Sequence, residues 1–369
     1  MPIGRKKSPE RTATASAIPL ASHPYRFLGS YRFLLAVLVL TSHASGFLGA
    51  TVASLQLGNV GVFLFFVVSG AVICEALDIF YHDSSHRFLI NRALKIFPAY
   101  WAIALLYAMI FILLNPSDWR FDPWAIIVNV SLLLSYLPAG NNKLIIDIAW
   151  AVVVECQFYL IAAALFFVAR VTRMFGRILY AGGLVALALY LFIHITDGHA
   201  RFYGAFRFAP YFVLGSASYY TFTRMDLRTG LLAMLAGILS LHAYLVYSLA
   251  TPSGGLPLDL SAYSTGQIAS TALFAAGTFL FLWLFSRGFR QKAEQVDKRL
   301  GDITYSIYLI HPLIIYVAID LNIADRFGNA TAYLFTLLVS ATIAVLIFRG
   351  IERPVMKLRN RFRGRRLYD

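Results

Sequence analysis

The sequence predicts an all-α fold: a polytopic integral membrane helical bundle of about ten transmembrane helices, with one additional short re-entrant or interfacial helix. Three observations carry this. The 369-residue chain is 59% hydrophobic and only 14% charged, where an ordinary soluble domain is roughly 25% charged, and its mean hydropathy is +0.68. The apolar residues form blocks long enough to cross a bilayer, which takes about 20 consecutive residues as a helix. Those blocks are continuous instead of alternating in polarity, which argues against the strands of an outer-membrane barrel.

The blocks run over 27–48, 57–79, 96–114, 123–137, 148–168, 178–196, 205–221, 229–250, 264–285, 303–320 and 331–350. The fourth is short and lies between Pro123 and Pro138, below spanning length. Charge decides whether it crosses. With the N-terminus cytoplasmic and 123–137 not crossing, 26 of the 32 Lys and Arg residues fall on the cytoplasmic side. If the block crossed, the basic loops at 170–177, 224–228 and 287–299 would face outward, against the positive-inside rule. Ten spans with both termini cytoplasmic follow. The domain plan is a basic cytoplasmic tail over 1–26, a transmembrane domain over 27–350, and a second basic tail over 351–369.

The net charge of +14 is thus a matter of topology, and nucleic acid is not an expected partner. The Arg-rich end, Arg359–Arg366, is expected to rest on anionic lipid headgroups. Residues 1–26 lack the compact apolar core and small-residue cleavage site of a secretory signal. The outer segment 115–147 holds Trp119, Trp124 and Tyr136, which suits an interfacial or re-entrant element. Cys74 and Cys156 lie inside apolar blocks, offer no disulfide or metal spacing, and read as packing residues.

Ionisable side chains inside a span are costly and mark candidate sites. On the first span Arg32 and His43 are eleven residues apart, which returns to within about 20° of the same face and separates them by roughly 16 Å along the axis. A cation at one depth and a neutral base at another suits passage of an anionic donor. A snorkelling Arg and a His bonded to a neighbouring helix would look the same. On the fifth span Glu155 is followed by Gln157 and Tyr159. Glu155 and His43 lie at similar depth below the outer surface, as an acid–base pair needs. Arg92 and Lys95, three residues apart before the third span, suit phosphate groups as well as they suit anchoring at the surface. His311 sits near mid-membrane beside Pro312, with Tyr305, Ser306 and Tyr308 on its cytoplasmic approach. His242 reads as a packed, hydrogen-bonded histidine.

These pieces resemble the membrane-bound acyltransferase-3 family. Arg32 to His43 is similar to its Arg-x10-His pair on the first helix. Gly61, Val62, Phe65, Phe66, Ser69 and Gly70 resemble its second-helix signature, and Arg92, Lys95, Pro98 and Tyr100 its basic motif before the third helix. Trp150, Glu155, Gln157, Phe158 and Tyr159 resemble its Trp-x4-Glu-x-Gln-Phe-Tyr pattern. Gly301, Tyr305, Ser306, Tyr308, Leu309 and His311 resemble its late Ser-Tyr-His signature, and Ile351–Pro354 its terminal Ile-Glu-Arg-Pro. Two positions depart: Phe63 stands where an acidic or polar residue is frequent, and Lys95 where Arg is usual, losing the bidentate fork.

The resemblance implies an O-acyltransferase of the bacterial inner membrane, moving an acyl group, most often acetyl, from cytoplasmic acyl-CoA to a carbohydrate hydroxyl, with membrane lipid around it and no metal. It implies His43 as general base, deprotonating the sugar hydroxyl or relaying the acyl group covalently, supported by Glu155, and Arg32, Arg92, Lys95, Tyr305 and Ser306 on the donor. Trp150, Gln157, Tyr159 and His311 are then expected at the acceptor. The rival from another class is a flippase or transporter of a lipid-linked saccharide, which would share the bundle but transfer no acyl group.

Overall fold

The computed structural model describes residues 27–114, 122–136, 144–196, 204–249, 264–286 and 294–362. It is helical, with no strand among the described residues. Every long apolar block is a helix. These are α1 (Leu28–His43), α2 (Leu57–Ile79), α3 (Ser85–Leu114), α4 (Pro123–Ser131), α5 (Trp150–Val171) and α6 (Phe175–Thr196). They continue as α7 (Ala209–Arg224), α8 (Leu227–Leu249), α9 (Thr265–Ser286), α10 (Glu294–Asp320), α11 (Asn329–Ile347) and α12 (Arg353–Phe362). Eight are long and apolar enough to cross a membrane. The other two predicted spans, α1 and α7, are helices of 16 residues, about 24 Å long. Each gains further length from a short helix beside it, Ser45–Leu48 after α1 and Gly204–Arg207 before α7.

The polar character of α7 has a physical reason. α7 carries five Ser, Thr or Tyr hydroxyls between Ser216 and Thr221, and it is buried among helices instead of facing lipid: Tyr211, Phe212, Leu214, Ser218 and Tyr219 are all nearly inaccessible. It crosses α2 backbone to backbone. A methyl group on Gly215 would stand 1.9 Å from the Val67 carbonyl oxygen, and one on Gly70 would stand 2.2 Å from that of Phe212. Small residues permit such close crossings where lipid gives no hydrophobic drive for association. The hydroxyls of Ser216 and Ser218 return to α7's own carbonyls at Phe212 and Leu214, so they are satisfied inside the bundle.

The short fourth block does not cross. α4 has nine residues, about 14 Å of helix against a hydrocarbon core of about 30 Å. Asp122 caps it, accepting from the Trp124 and Ala125 amides, with Pro123 at its first position, where no amide is needed. Tyr100 and the Ile145 amide both donate to the Asn129 side chain at 2.9 Å, and Trp101 donates to the Val130 carbonyl. The element is thereby tied to α3. The remaining stretch 115–121, Trp119 included, lies outside the described residues, as do 1–26 and 363–369 of the two tails.

One end of the bundle gathers the basic residues, including Arg92, Arg173, Arg228, Lys298 and α12. There Asp297 accepts from the Gly29 amide at 3.0 Å and the Ser30 amide at 2.5 Å. A carboxylate from α10 thus caps the start of α1 and fixes α1 beside α10 along their length. A π turn, Phe348–Glu352, carries the chain from α11 into the basic helix α12. α12 does not lie free on the surface: the Asn91 amide donates to the Arg359 carbonyl at 3.1 Å, and the Arg359 guanidinium returns a bond to Asn91 at 3.2 Å.

Candidate functional site

Two clusters occupy different depths. The deeper one joins α1 to α10. His43 Nδ1 lies 2.9 Å from the Val39 carbonyl oxygen, four residues earlier on its own helix. His311 Nδ1 lies 3.1 Å from the Ile307 carbonyl oxygen in the same relation. Pro312, lacking an N–H, leaves the Tyr308 carbonyl beside this ring without its usual helical partner. The two imidazoles meet at 3.2 Å, His311 Nε2 to His43 Nδ1, with ring centroids 5.1 Å apart.

Those contacts set the tautomers. A ring nitrogen that faces a carbonyl carries the hydrogen, so in each neutral imidazole the lone pair is on Nε2. The lone pair of His311 points at the N–H of His43. The lone pair of His43, on Nε2, meets no described group, and His43 is exposed while His311 is fully buried. His43 is therefore an open base whose protonated form would have two acceptors on its far nitrogen.

α10 is shaped to hold this pair. The Tyr107 hydroxyl of α3 accepts from the Leu313 amide at 3.0 Å and donates to the Leu309 carbonyl at 3.1 Å. These two backbone groups would bond each other in an unbroken helix. A hydroxyl inserted into the ladder beside a proline is a recognised cause of helix bending. One turn toward the basic end, Tyr308 donates to the Ile148 carbonyl at 2.7 Å, linking α10 to the start of α5.

The second cluster lies toward the basic end. Lys95 is within electrostatic reach of Arg32, Arg92, Glu155 and Arg359. Asp302 is within reach of Lys95, Arg32 and Arg359, and Glu352 of Lys95 and Arg359. Arg92 spreads its guanidinium over the rings of Phe88 and Tyr159, at 5.2 and 5.8 Å. The Nε atoms of Arg92 and Arg359 are buried with no hydrogen-bond partner among the described residues. Buried donors without partners are costly unless a ligand meets them. Ser306 donates to Glu352 at 2.5 Å, and Tyr305 to the Ile96 carbonyl at 3.3 Å, beside Pro98.

Sequence reasoning placed His43 against Glu155, and no hydrogen bond joins them here. Glu155 accepts from Ser69 at 2.7 Å and belongs to the cationic cluster. Arg32 and Arg92 lie near Lys95, the three residues that the family resemblance groups on the donor, and Tyr305 and Ser306 stand beside them. The four residues expected at the acceptor separate. His311 is the partner of His43. Tyr159 lies under Arg92. Gln157 accepts from the Ala205 amide at 2.8 Å and holds the short helix before α7. Trp150 packs on Phe66 and Phe208, 6.2 and 5.5 Å between centroids. Phe63 is a wall residue stacked on Tyr211 at 4.9 Å. His242 is hydrogen-bonded, to Tyr190 at 3.0 Å, and both cysteines are free and buried. Arg359, Asp302, Glu352 and Tyr107 had no place in the sequence reading of the site. Glu352, an acidic residue where the last span meets the surface, carried the one signal that could have flagged it.

Among the described residues no three His, Cys, Asp or Glu side chains converge as a metal site would require. The fold and site thus define a helical membrane protein with a histidine pair at one depth and a cationic cluster at another. The acyltransferase-domain profile named Acyl_transf_3 matches residues 26–349, and the chain belongs to this acyltransferase-3 family. It is a membrane acyltransferase. Comparisons with curated proteins and with solved structures gave no match.

Proposed function

We propose that the chain is an O-acyltransferase that moves an acyl group, acetyl in the simplest case, from acyl-CoA to a hydroxyl of a carbohydrate in a surface polysaccharide, lipid-linked saccharide or glycolipid. The observation that carries this is the open Nε2 of His43 backed by His311 Nε2 at 3.2 Å. In this reading the sugar hydroxyl gives its proton to His43 Nε2 while its oxygen attacks the thioester carbonyl carbon. The carbon–sulfur bond then breaks, and the thiolate takes the proton back from the imidazolium to leave as free CoA. His311 accepts from the Nδ1–H of the imidazolium and steadies it, the part expected of Glu155.

The phosphates of the donor are assigned to Arg32, Arg92, Lys95 and Arg359, with the orphaned guanidinium Nε atoms as their donors. Glu155, Asp302 and Glu352 hold these cations apart in place, and Ser306 positions Glu352. The basic end is the cytoplasmic end in this reading, which agrees with the charge bias of the loops; the membrane is the bacterial inner membrane. Trp150 offers an aromatic face on the acceptor side. The test is transfer of labelled acetyl from acetyl-CoA to a membrane glycan fraction by the purified chain in liposomes. Translocation of a lipid-linked saccharide with no acyl transfer to any glycan fraction would overturn the reading in favour of a flippase.

A further inference from the structure

A cavity of about 780 Å³ lies between α5, α6, α7 and α8, and none of His43, His311, Arg32, Lys95 or Glu155 lines it. An aromatic wall closes it toward the acyl-transfer site: Phe158 stacks on Phe212 at 4.2 Å, and Phe212 on Phe66 at 4.8 Å. Its sides are apolar from Leu179 to Leu189 along α6. Its mouth at the basic end is not. Arg173, Arg177 and Arg228 stand there with one carboxylate, Asp226, which accepts from the Arg228 backbone amide; the three arginines are exposed, and none makes a side-chain hydrogen bond or ion pair with another described residue. The first turn of α6 opens on the same mouth through Gly176, adding backbone N–H groups that favour an anion.

From Arg177 to Leu189 the lining covers about 18 Å of helix. One leaflet of hydrocarbon is about 15 Å, half of the bilayer's ~30 Å. The occupant must then be an amphiphile with an anionic head at the basic end and an apolar chain one leaflet long. The geometry points to a binding site for an anionic phospholipid of that leaflet. Its phosphate is held by Arg173, Arg177 and Arg228, and an acyl chain lies along α6 against Phe158, Ala162 and Phe212. Such a lipid is no substrate, since the aromatic wall separates it from His43. It braces α5 and α6 against the α7–α8 pair.

The test is native mass spectrometry of the delipidated full chain titrated with phosphatidylglycerol or phosphatidylcholine of matched acyl chains. Phosphatidylglycerol should be retained at least about tenfold more strongly, as expected for several charge-assisted contacts. Arg173→Gln with Arg177→Gln should remove that preference, and Arg349→Gln, away from the mouth, should keep it. Ala186→Trp, which fills the cavity, should cut retention of both lipids, with circular dichroism showing the variant folded. Equal retention of the two lipids, or unchanged retention in a folded Ala186→Trp protein, would overturn the proposal. So would displacement of phosphatidylglycerol by acyl-CoA, which would make the cavity part of the donor site. The readout is lipid retention alone, so it stands or falls apart from acyl transfer.

Discussion

His311 Nε2 faces His43 Nδ1 at 3.2 Å, across the contact between the first long helix and the tenth. In the proposed reaction this pair, 268 positions apart in sequence, acts as one proton-handling unit. His43→Ala should lower acyl transfer by about 10² to 10⁴, the usual worth of a positioned general base. His311→Leu removes an acceptor from a charged imidazolium, worth about 1.5–3 kcal/mol, and should lower kcat about 10- to 100-fold with donor KM unchanged. The double variant should be little worse than His43→Ala. Full additivity in matched, folded protein would show that the two do not act together.

Tyr107→Phe keeps the ring and deletes the hydroxyl that bridges Leu309 and Leu313. Two buried backbone groups lose their partner, at a cost of about 1–3 kcal/mol each unless α10 straightens and they bond each other. Either outcome displaces His311. We expect lower thermal stability in detergent together with reduced kcat. Wild-type stability and wild-type turnover would remove Tyr107 from the support of the pair.

At the cationic cluster, Arg92→Ala and Arg359→Ala should each raise the donor KM about tenfold or more, since a hydrogen bond to a charged group is worth about 1.5–3 kcal/mol, and should leave kcat and acceptor KM nearly unchanged. Lys95→Arg restores a bidentate fork and should be tolerated, with donor KM equal or lower. Isothermal titration with acyl-CoA checks the same ranking without turnover. An unaltered donor affinity in Arg92→Ala would return that residue to a role as a membrane anchor.

Single cysteines in a variant lacking Cys74 and Cys156 test the orientation. Val52→Cys and Asp325→Cys should react with an impermeant maleimide from outside intact inner-membrane spheroplasts. Ser84→Cys, Met174→Cys, Asp226→Cys and Glu294→Cys should react only after the membrane is opened. Outside labelling at position 174 would mean that the short fourth block crosses.

Much of this architecture is legible in residue order because lipid demands it. Long apolar blocks had to become helices, and the nine-residue α4 was betrayed by its two prolines and by the loop charges around it. The shared face of Arg32 and His43 was also legible, from helical period alone, and both do turn toward α10 and its surroundings. Which helix each residue would meet was not. The depth argument that paired His43 with Glu155 used distance from the outer ends of two spans, and depth does not fix lateral position. α10 lies beside α1, with Asp297 capping α1's first turn, a contact with no local signature. By sequence Arg359 belongs to the surface charge of a basic tail, and only the reciprocal bonds with Asn91 show it turned inward. Tyr107 is one aromatic among many on an apolar helix, and nothing in the sequence singles it out.

The π turn at Phe348–Glu352 gives the last span a second duty, that of a measuring rod. Glu352 reaches Ser306 because α11 and the turn together end at the right height and the right azimuth. One extra residue between Asn329 and Ile347 would rotate everything beyond it by about 100° and raise it by about 1.5 Å. Hydropathy would register no change, and the span would still insert. The carboxylate beside Lys95 and Arg359 would nevertheless swing away, and α12 would lose its register with Asn91. The length of α11 is thus under a constraint that membrane thickness does not impose, and deletions or insertions of a single residue there are expected to be far less tolerated than substitutions among its lipid-facing leucines.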